Sequence, residues 1–108
     1  MIVKEITPEE VARRLRSGEA VTVVDVREPA EWAAGHILGS LHIPLGHLFL
    51  RLNELDERRE IIVVCRSGNR SGLACEMLAA RGYKAVNMAG GLLRWPDPEL
   101  LTAGGPEI

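Results

Sequence analysis

Nowhere in the 108 residues is there an apolar run long enough to span a bilayer, which takes about 20 consecutive apolar residues. The opening Met1-Ile2-Val3-Lys4-Glu5 lacks the basic-then-apolar layout of a secretory signal. The expected compartment is therefore the cytoplasm, with no membrane partner. An excess of one charge is missing too: 13 basic and 15 acidic side chains leave a formal charge of −2, too little to draw in nucleic acid by bulk attraction. Cysteine is scarce, with only Cys65 and Cys75. Helix from about Arg70 onward would carry Cys75 away from Cys65 by about 1.5 Å per residue, so reduced thiols are expected. Their spacing, with no other thiol nearby, fails the zinc patterns built on close cysteine pairs. Internal repeats and low-complexity blocks are absent as well. What the chain does have is 46 % hydrophobic content, enough for a single modest core.

Apolar runs and helical patterns alternate along it. Val3 to Ile6 reads as a strand, and Thr7-Pro8-Glu9-Glu10 as a helix start with Thr7 as cap, Pro8 in the first turn and Glu10 completing a capping box. This helix should run to about Ser17, with Val11 and Leu15 inward and Gly18 as its stop. Ala20 to Val24 reads as a strand covered on both faces. Pro29 begins a short helical segment that Gly35 stops, and Leu41 to Ile43 is a brief strand. The spacing of Leu45, Leu48, Phe49, Leu52 and Leu55 predicts an amphipathic helix ending near Asp56. Ile61-Ile62-Val63-Val64 is the next strand, Arg70 to Arg81 a helix offering Leu73, Ala74, Met77 and Leu78 to the core, and Tyr83 to Met88 the last strand. A short helix over Gly90 to Trp95 follows. The expectation is a single α/β domain over residues 1–95, a mainly parallel twisted sheet with helices on both faces, and a loosely packed tail over 96–108.

Sites in such sheets gather outside the carboxyl ends of the strands. Cys65 stands at such an end, at the head of Cys65-Arg66-Ser67-Gly68-Asn69-Arg70-Ser71. The next helix offers free backbone N–H groups and the positive end of its dipole, and Gly68 permits unusual dihedrals. Together with Arg66 and Arg70 this makes a cup of donors under positive charge, suited to an anionic sulfur and to one further atom bonded to it. A buried, inert strand-end cysteine is the plainer alternative. Phosphatases that form a cysteinyl-phosphate place five residues between Cys and Arg; here four intervene, Arg66 to Asn69, and Ser71 stands where that Arg would be. The smaller cup suits one sulfur better than a phosphoryl group with three equatorial oxygens.

These residues resemble the rhodanese, or sulfurtransferase, family. The likeness rests on Asp25-Val26-Arg27-Glu28 with Glu31-Trp32 and Gly35-His36-Ile37, on Ile43-Pro44-Leu45, on the Cys65 to Ser71 loop, on Gly82-Tyr83, and on Gly90-Gly91 with Trp95. It implies a rhodanese-like fold and a two-step transfer. Cys65 is then the catalytic nucleophile, taking the outer sulfur of a small anionic donor such as thiosulfate and passing it from a persulfide to a thiol or cyanide-like acceptor or a sulfur-relay protein. Arg66, Ser67, Gly68, Asn69, Arg70 and Ser71 would bind the donor. No metal or organic cofactor is implied. A module that acts only with a protein partner and a cysteine-dependent phosphatase or arsenate reductase are the competing functions.

Asp25 and Arg27, after a buried strand, have two readings: a supporting rim of the site, or an ordinary ion pair. His36, His42 and His47 have no carboxylate or thiol at useful helical spacing from a pair, which disfavours a metal site. Cys75 is either a resolving thiol or a packing residue beside Ala74 and Leu78. Trp32 and Trp95 read as core or rim aromatics. Arg58-Arg59, next to Asp56, Glu57 and Glu60, reads as a solvated turn.

Overall fold

Thr7 begins the first helix as its side chain dictates: Oγ1 accepts the Glu10 N–H at 3.1 Å, and Pro8 fills the first turn of α1, Pro8–Arg16. The reciprocal half of the expected capping box is replaced, because the Glu10 carboxylate turns to the guanidinium groups of Arg13 and Arg14. Two cations one turn away outcompete a single backbone N–H. The structure, a computed structural model, describes residues 2–102.

Five strands pair side by side in parallel: β1 (Lys4–Ile6), β2 (Thr22–Asp25), β4 (Leu41–His42), β5 (Glu60–Val64) and β6 (Lys84–Met88). Their order across the sheet is β1-β6-β5-β2-β4. β5 lies at the centre, and its β-branched Ile61, Ile62, Val63 and Val64 are all buried, as a strand covered on both faces requires. Alternate residues feed two cores. Val24, Ile61, Val63 and Cys65 pack with Ala74, Cys75 and Leu78 of α3 (Asn69–Ala79) and with Leu48 and Leu55. Val23, Ile62, Val64 and Met88 pack on the other side with Val11 of α1 and Ile37, edged by Leu15 and Trp95. The α/β architecture with helices on both faces is thus the one the sequence implies.

Other local expectations change as well. Residues Leu45–Glu54 form 3₁₀ turns broken at Arg51 (φ −123°, ψ 20°) rather than one α-helix. Leu48 is buried, but Phe49 lies outside with the Arg81 guanidinium 4.0 Å from its ring centroid. On α3, Leu73 is half exposed, because Ala74 and Leu78 already face the sheet. The tail expected to be loose from Pro96 is fixed as far as Thr102. Asp97 caps the 3₁₀ turn Pro98–Leu100, and β7 (Leu101–Thr102) pairs antiparallel with β3 (His36–Ile37). Arg16 binds Asp97 and Glu99, and Leu101 packs against the Val11–Ile37 core. That apolar contact is the reason the segment folds back. Residues 103–108 lie outside the described residues. No described helix is long and apolar enough to cross a membrane.

Candidate functional site

Directly after β5 the chain must turn to enter α3, and Gly68 makes the turn at φ +99° as the helix's N-cap. The last residues of the turn leave N–H groups without helical partners, and these converge on Cys65. Its Sγ accepts from the Gly68 N–H at 3.1 Å, the Ser71 N–H at 3.3 Å and the Ser71 hydroxyl at 3.2 Å. Burial raises the pKa of this thiol, but hydrogen bonds from the Ser71 hydroxyl and from the Ser71, Gly68 and Ser67 N–H groups prevail, and the net effect is to lower it. Cys75 shows what burial does without such donors: it sits in the α3 core, pushed up to about 12 by desolvation and by the neighbouring Cys65. Both thiols are free.

The loop is braced from behind by the turn that follows β6. Leu92 N–H donates to the Cys65 carbonyl at 2.9 Å and Leu93 N–H to that of Arg66 at 3.0 Å. Gly91, at φ +64°, presses so closely that a Cβ there would collide with the Arg66 carbonyl and come within 2.6 Å of the Ser67 nitrogen. Gly91, read in the sequence as part of a final helix, is therefore what admits the loop's backbone; the helix itself is a 3₁₀ turn, Gly91–Arg94.

The two arginines of the loop have separate fates. Arg70 is held by Glu31 of α2 (Pro29–Ala33) in a two-pronged pair, Nη1 to Oε1 at 2.6 Å and Nη2 to Oε2 at 2.8 Å. This holds the Glu31 carboxyl down at about 2. The Arg66 side chain is exposed and makes no ion pair or hydrogen bond among the described residues. It lines a cavity of about 310 Å³ together with Arg27, Glu31, Ala34, Leu92 and Leu93. Ser67 and Asn69 are exposed on the loop, and neither side chain is drawn to the sulfur.

Asp25 and Arg27 form a buried pair at the end of β2. Arg27 Nη2 donates to Asp25 Oδ2 at 2.8 Å and to the Gly35 carbonyl at 2.7 Å, tying strand end to helix end. Arg27 also reaches the cavity wall. The rings of His36 and His42 both stack on Trp32, with centroids 3.3 and 4.6 Å away. His36 Nδ1 and His42 Nε2 donate to the Trp32 and Arg27 carbonyls. These histidines serve packing, and among the described residues no cluster of His, Cys, Asp and Glu forms a metal-binding group.

Sequence reasoning passed over Asn87. It is 5 % exposed on β6, where Nδ2 donates to the Gly68 carbonyl at 3.1 Å and Oδ1 accepts the Ser71 hydroxyl at 2.6 Å. The available signal was a polar residue inside the apolar strand Ala85-Val86-Asn87-Met88, where burial demands partners. The role of Glu31 toward Arg70 was equally hidden, since 39 residues separate them.

The Rhodanese-like domain model matches residues 7–97. A protein named Sulfurtransferase from Allochromatium vinosum is 39 % identical over 95 residues, which is 87 % of this chain and 89 % of that protein. Thiosulfate sulfurtransferase GlpE from Ectopseudomonas mendocina is 40 % identical over 93 residues, 85 % of this chain and 84 % of its own. Among solved structures, a rhodanese-like domain protein from Staphylococcus aureus matches with a TM-score of 0.86 at 36 % identity, covering 91 % of this chain and 96 % of that one.

Proposed function

The chain belongs to the rhodanese-like domain family, and on that premise we propose that it is a sulfurtransferase carrying sulfur as a persulfide on Cys65. The thiolate attacks the outer sulfur of an anionic donor such as thiosulfate. A new S–S bond forms at Cys65, the donor's S–S bond breaks, and sulfite departs with the bonding pair. The outer sulfur keeps the negative charge it carried in the donor, so the persulfide is anionic at its outer sulfur and Sγ no longer carries a charge. A thiol or cyanide-like acceptor then attacks that sulfur and returns Cys65 as thiolate.

What supports this reading above all is the Cys65 sulfur, which has the Gly68 and Ser71 N–H groups and the Ser71 hydroxyl within hydrogen-bonding reach at the floor of the Cys65–Ser71 loop. Such donors stabilise the thiolate that attacks the donor. Arg66, uncommitted at the cavity, meets the donor's charge, while Arg70 is neutralised by Glu31 and holds the loop against α2. Asp25 and Arg27 support the rim. The name of the Ectopseudomonas mendocina relative favours thiosulfate as donor.

Intact mass after incubation with thiosulfate tests it: one added sulfur is expected, absent from Cys65→Ser. No adduct from thiosulfate or from a protein persulfide, or an adduct that survives Cys65→Ser, would overturn it. Loading only from a protein persulfide would keep the carrier and replace the donor.

A further inference from the structure

A single hydroxyl proton serves two acceptors on the floor of the loop. Ser71 Oγ lies 2.6 Å from Asn87 Oδ1 and 3.2 Å from Cys65 Sγ, and Ser71 has no exposed surface. A hydroxyl donates once. The Asn87 amide has no freedom to flip: the Gly68 carbonyl only accepts, so Nδ2 faces it and Oδ1 faces Ser71. Oδ1 also only accepts. While Cys65 is neutral, Ser71 therefore gives its proton to Asn87 over the shorter contact, and the thiol can donate to the Ser71 oxygen. Once the thiol has lost its proton to solvent, a hydrogen bond to the sulfur anion is the stronger one. The hydroxyl then turns to Sγ and leaves Oδ1 without its donor, which costs free energy in a buried site.

We infer that Asn87 is a positioning residue that competes with the Cys65 sulfur for the Ser71 hydroxyl, so that this hydroxyl faces the sulfur while it is a thiolate and returns to Asn87 once sulfur is loaded. The return half rests on the function proposed above, because loading leaves Sγ uncharged and the charge on the outer sulfur; the first half does not. Asn87 thus opposes an over-stabilised, sluggish thiolate and favours the loaded state. The ionisable groups that couple electrostatically to the sulfur, Arg70 with its partner Glu31 and the protonated Cys75, are common to both states.

The experiment is a double-mutant cycle on the Cys65 titration, read from thiolate ultraviolet absorbance as the difference from a Cys65→Ala variant. Cys75, held up at about 12, stays silent over the useful range. Ser71→Ala should raise the midpoint by about one pH unit, as the thiolate loses a donor. Asn87→Leu, which keeps the volume, should lower it by about half a unit with Ser71 present and leave it unchanged with alanine at 71. A midpoint that Asn87→Leu leaves unmoved or raises in the presence of Ser71 would overturn the competition. So would equal shifts in both backgrounds, which would reduce Asn87 to a prop for the Gly68 carbonyl. Asn87→Ala, read in the same cycle, serves where leucine is not accommodated. For the return half, the Asn87 side-chain amide resonances should move when thiosulfate adds a sulfur. An adduct seen by mass with those resonances unmoved would overturn that half. If thiosulfate loads nothing, the proposed donor fails while the titration still decides the competition.

Discussion

Two buried cysteines with opposite chemistry show how little burial alone decides at the scale of the residue. Cys65 and Cys75 are both shut from solvent, yet only Cys65 has a ring of donors, so its ionisation is eased while that of Cys75 is driven up to about 12. Near pH 8 a small alkylating agent should modify Cys65 at least about a hundredfold faster than Cys75, since the thiolate is the reacting form. Peptide mass analysis over time would measure both rates, and equal rates would mean that the donors do not hold the anion. Cys65 was legible in the sequence because an apolar run, a thiol, a glycine and a helix start follow one another without a gap. Asn87 was not, because a polar residue in a strand gives no sign of which neighbour it binds. Arg70 was read as a charge facing the donor; its pairing with Glu31 was not legible, since that partner lies on a different helix.

Between elements, the site depends on two clasps. The first joins α2 to the loop through Glu31 and Arg70. The Glu31 carboxyl is depressed to about 2 from its ordinary 4.5, so its stabilisation is fully present above the unfolded value and is lost as pH falls through the folded one. Glu31→Gln should therefore be less stable than the native chain above about pH 5, with the gap closing as the pH falls toward 2. Urea melts at a series of pH values would show it, and a gap that persisted at the acid end would rule out the pair as its source. The second clasp is Gly91 against the Arg66 backbone. Gly91→Ala should cost about 2–4 kcal/mol, from a backbone collision added to left-handed strain. Gly18→Ala, also at positive φ but with nothing within 4 Å, should cost only about 1 kcal/mol. Similar losses at the two positions would show that the contact carries no weight. Element types came through from periodicity for the five parallel strands and for α1, α2 and α3, but not over Leu45–Glu54, where leucine spacing fits an α-helix while the backbone forms 3₁₀ turns broken at Arg51 and Phe49 lies outside.

For the whole molecule, the sheet order sets β5 between β2 and β6, so that the ends of all three strands meet around Cys65. The alternation of strands and helices made that parallel sheet readable. The closing segment was not, because a two-residue strand carries no period and its pairing with β3 spans most of the chain. A chain ending at Thr102 keeps the whole closing segment and serves as the reference. One ending at Trp95 should lose about 2 kcal/mol or more, as the Leu101 contact and the Arg16 pairs disappear. Denaturant melts of the two lengths would decide it, and no loss on removing 96–102 would mean the pairing is marginal. The fit of Gly91 against the Arg66 carbonyl carries a lesson for engineering. The seven residues from Cys65 to Ser71 are half of a casting whose other half is the Gly90–Gly91 turn, so the loop cannot be transplanted as a stand-alone cassette: a recipient scaffold must supply a side-chain-free surface at the neighbouring strand end, or the graft will set in a different shape.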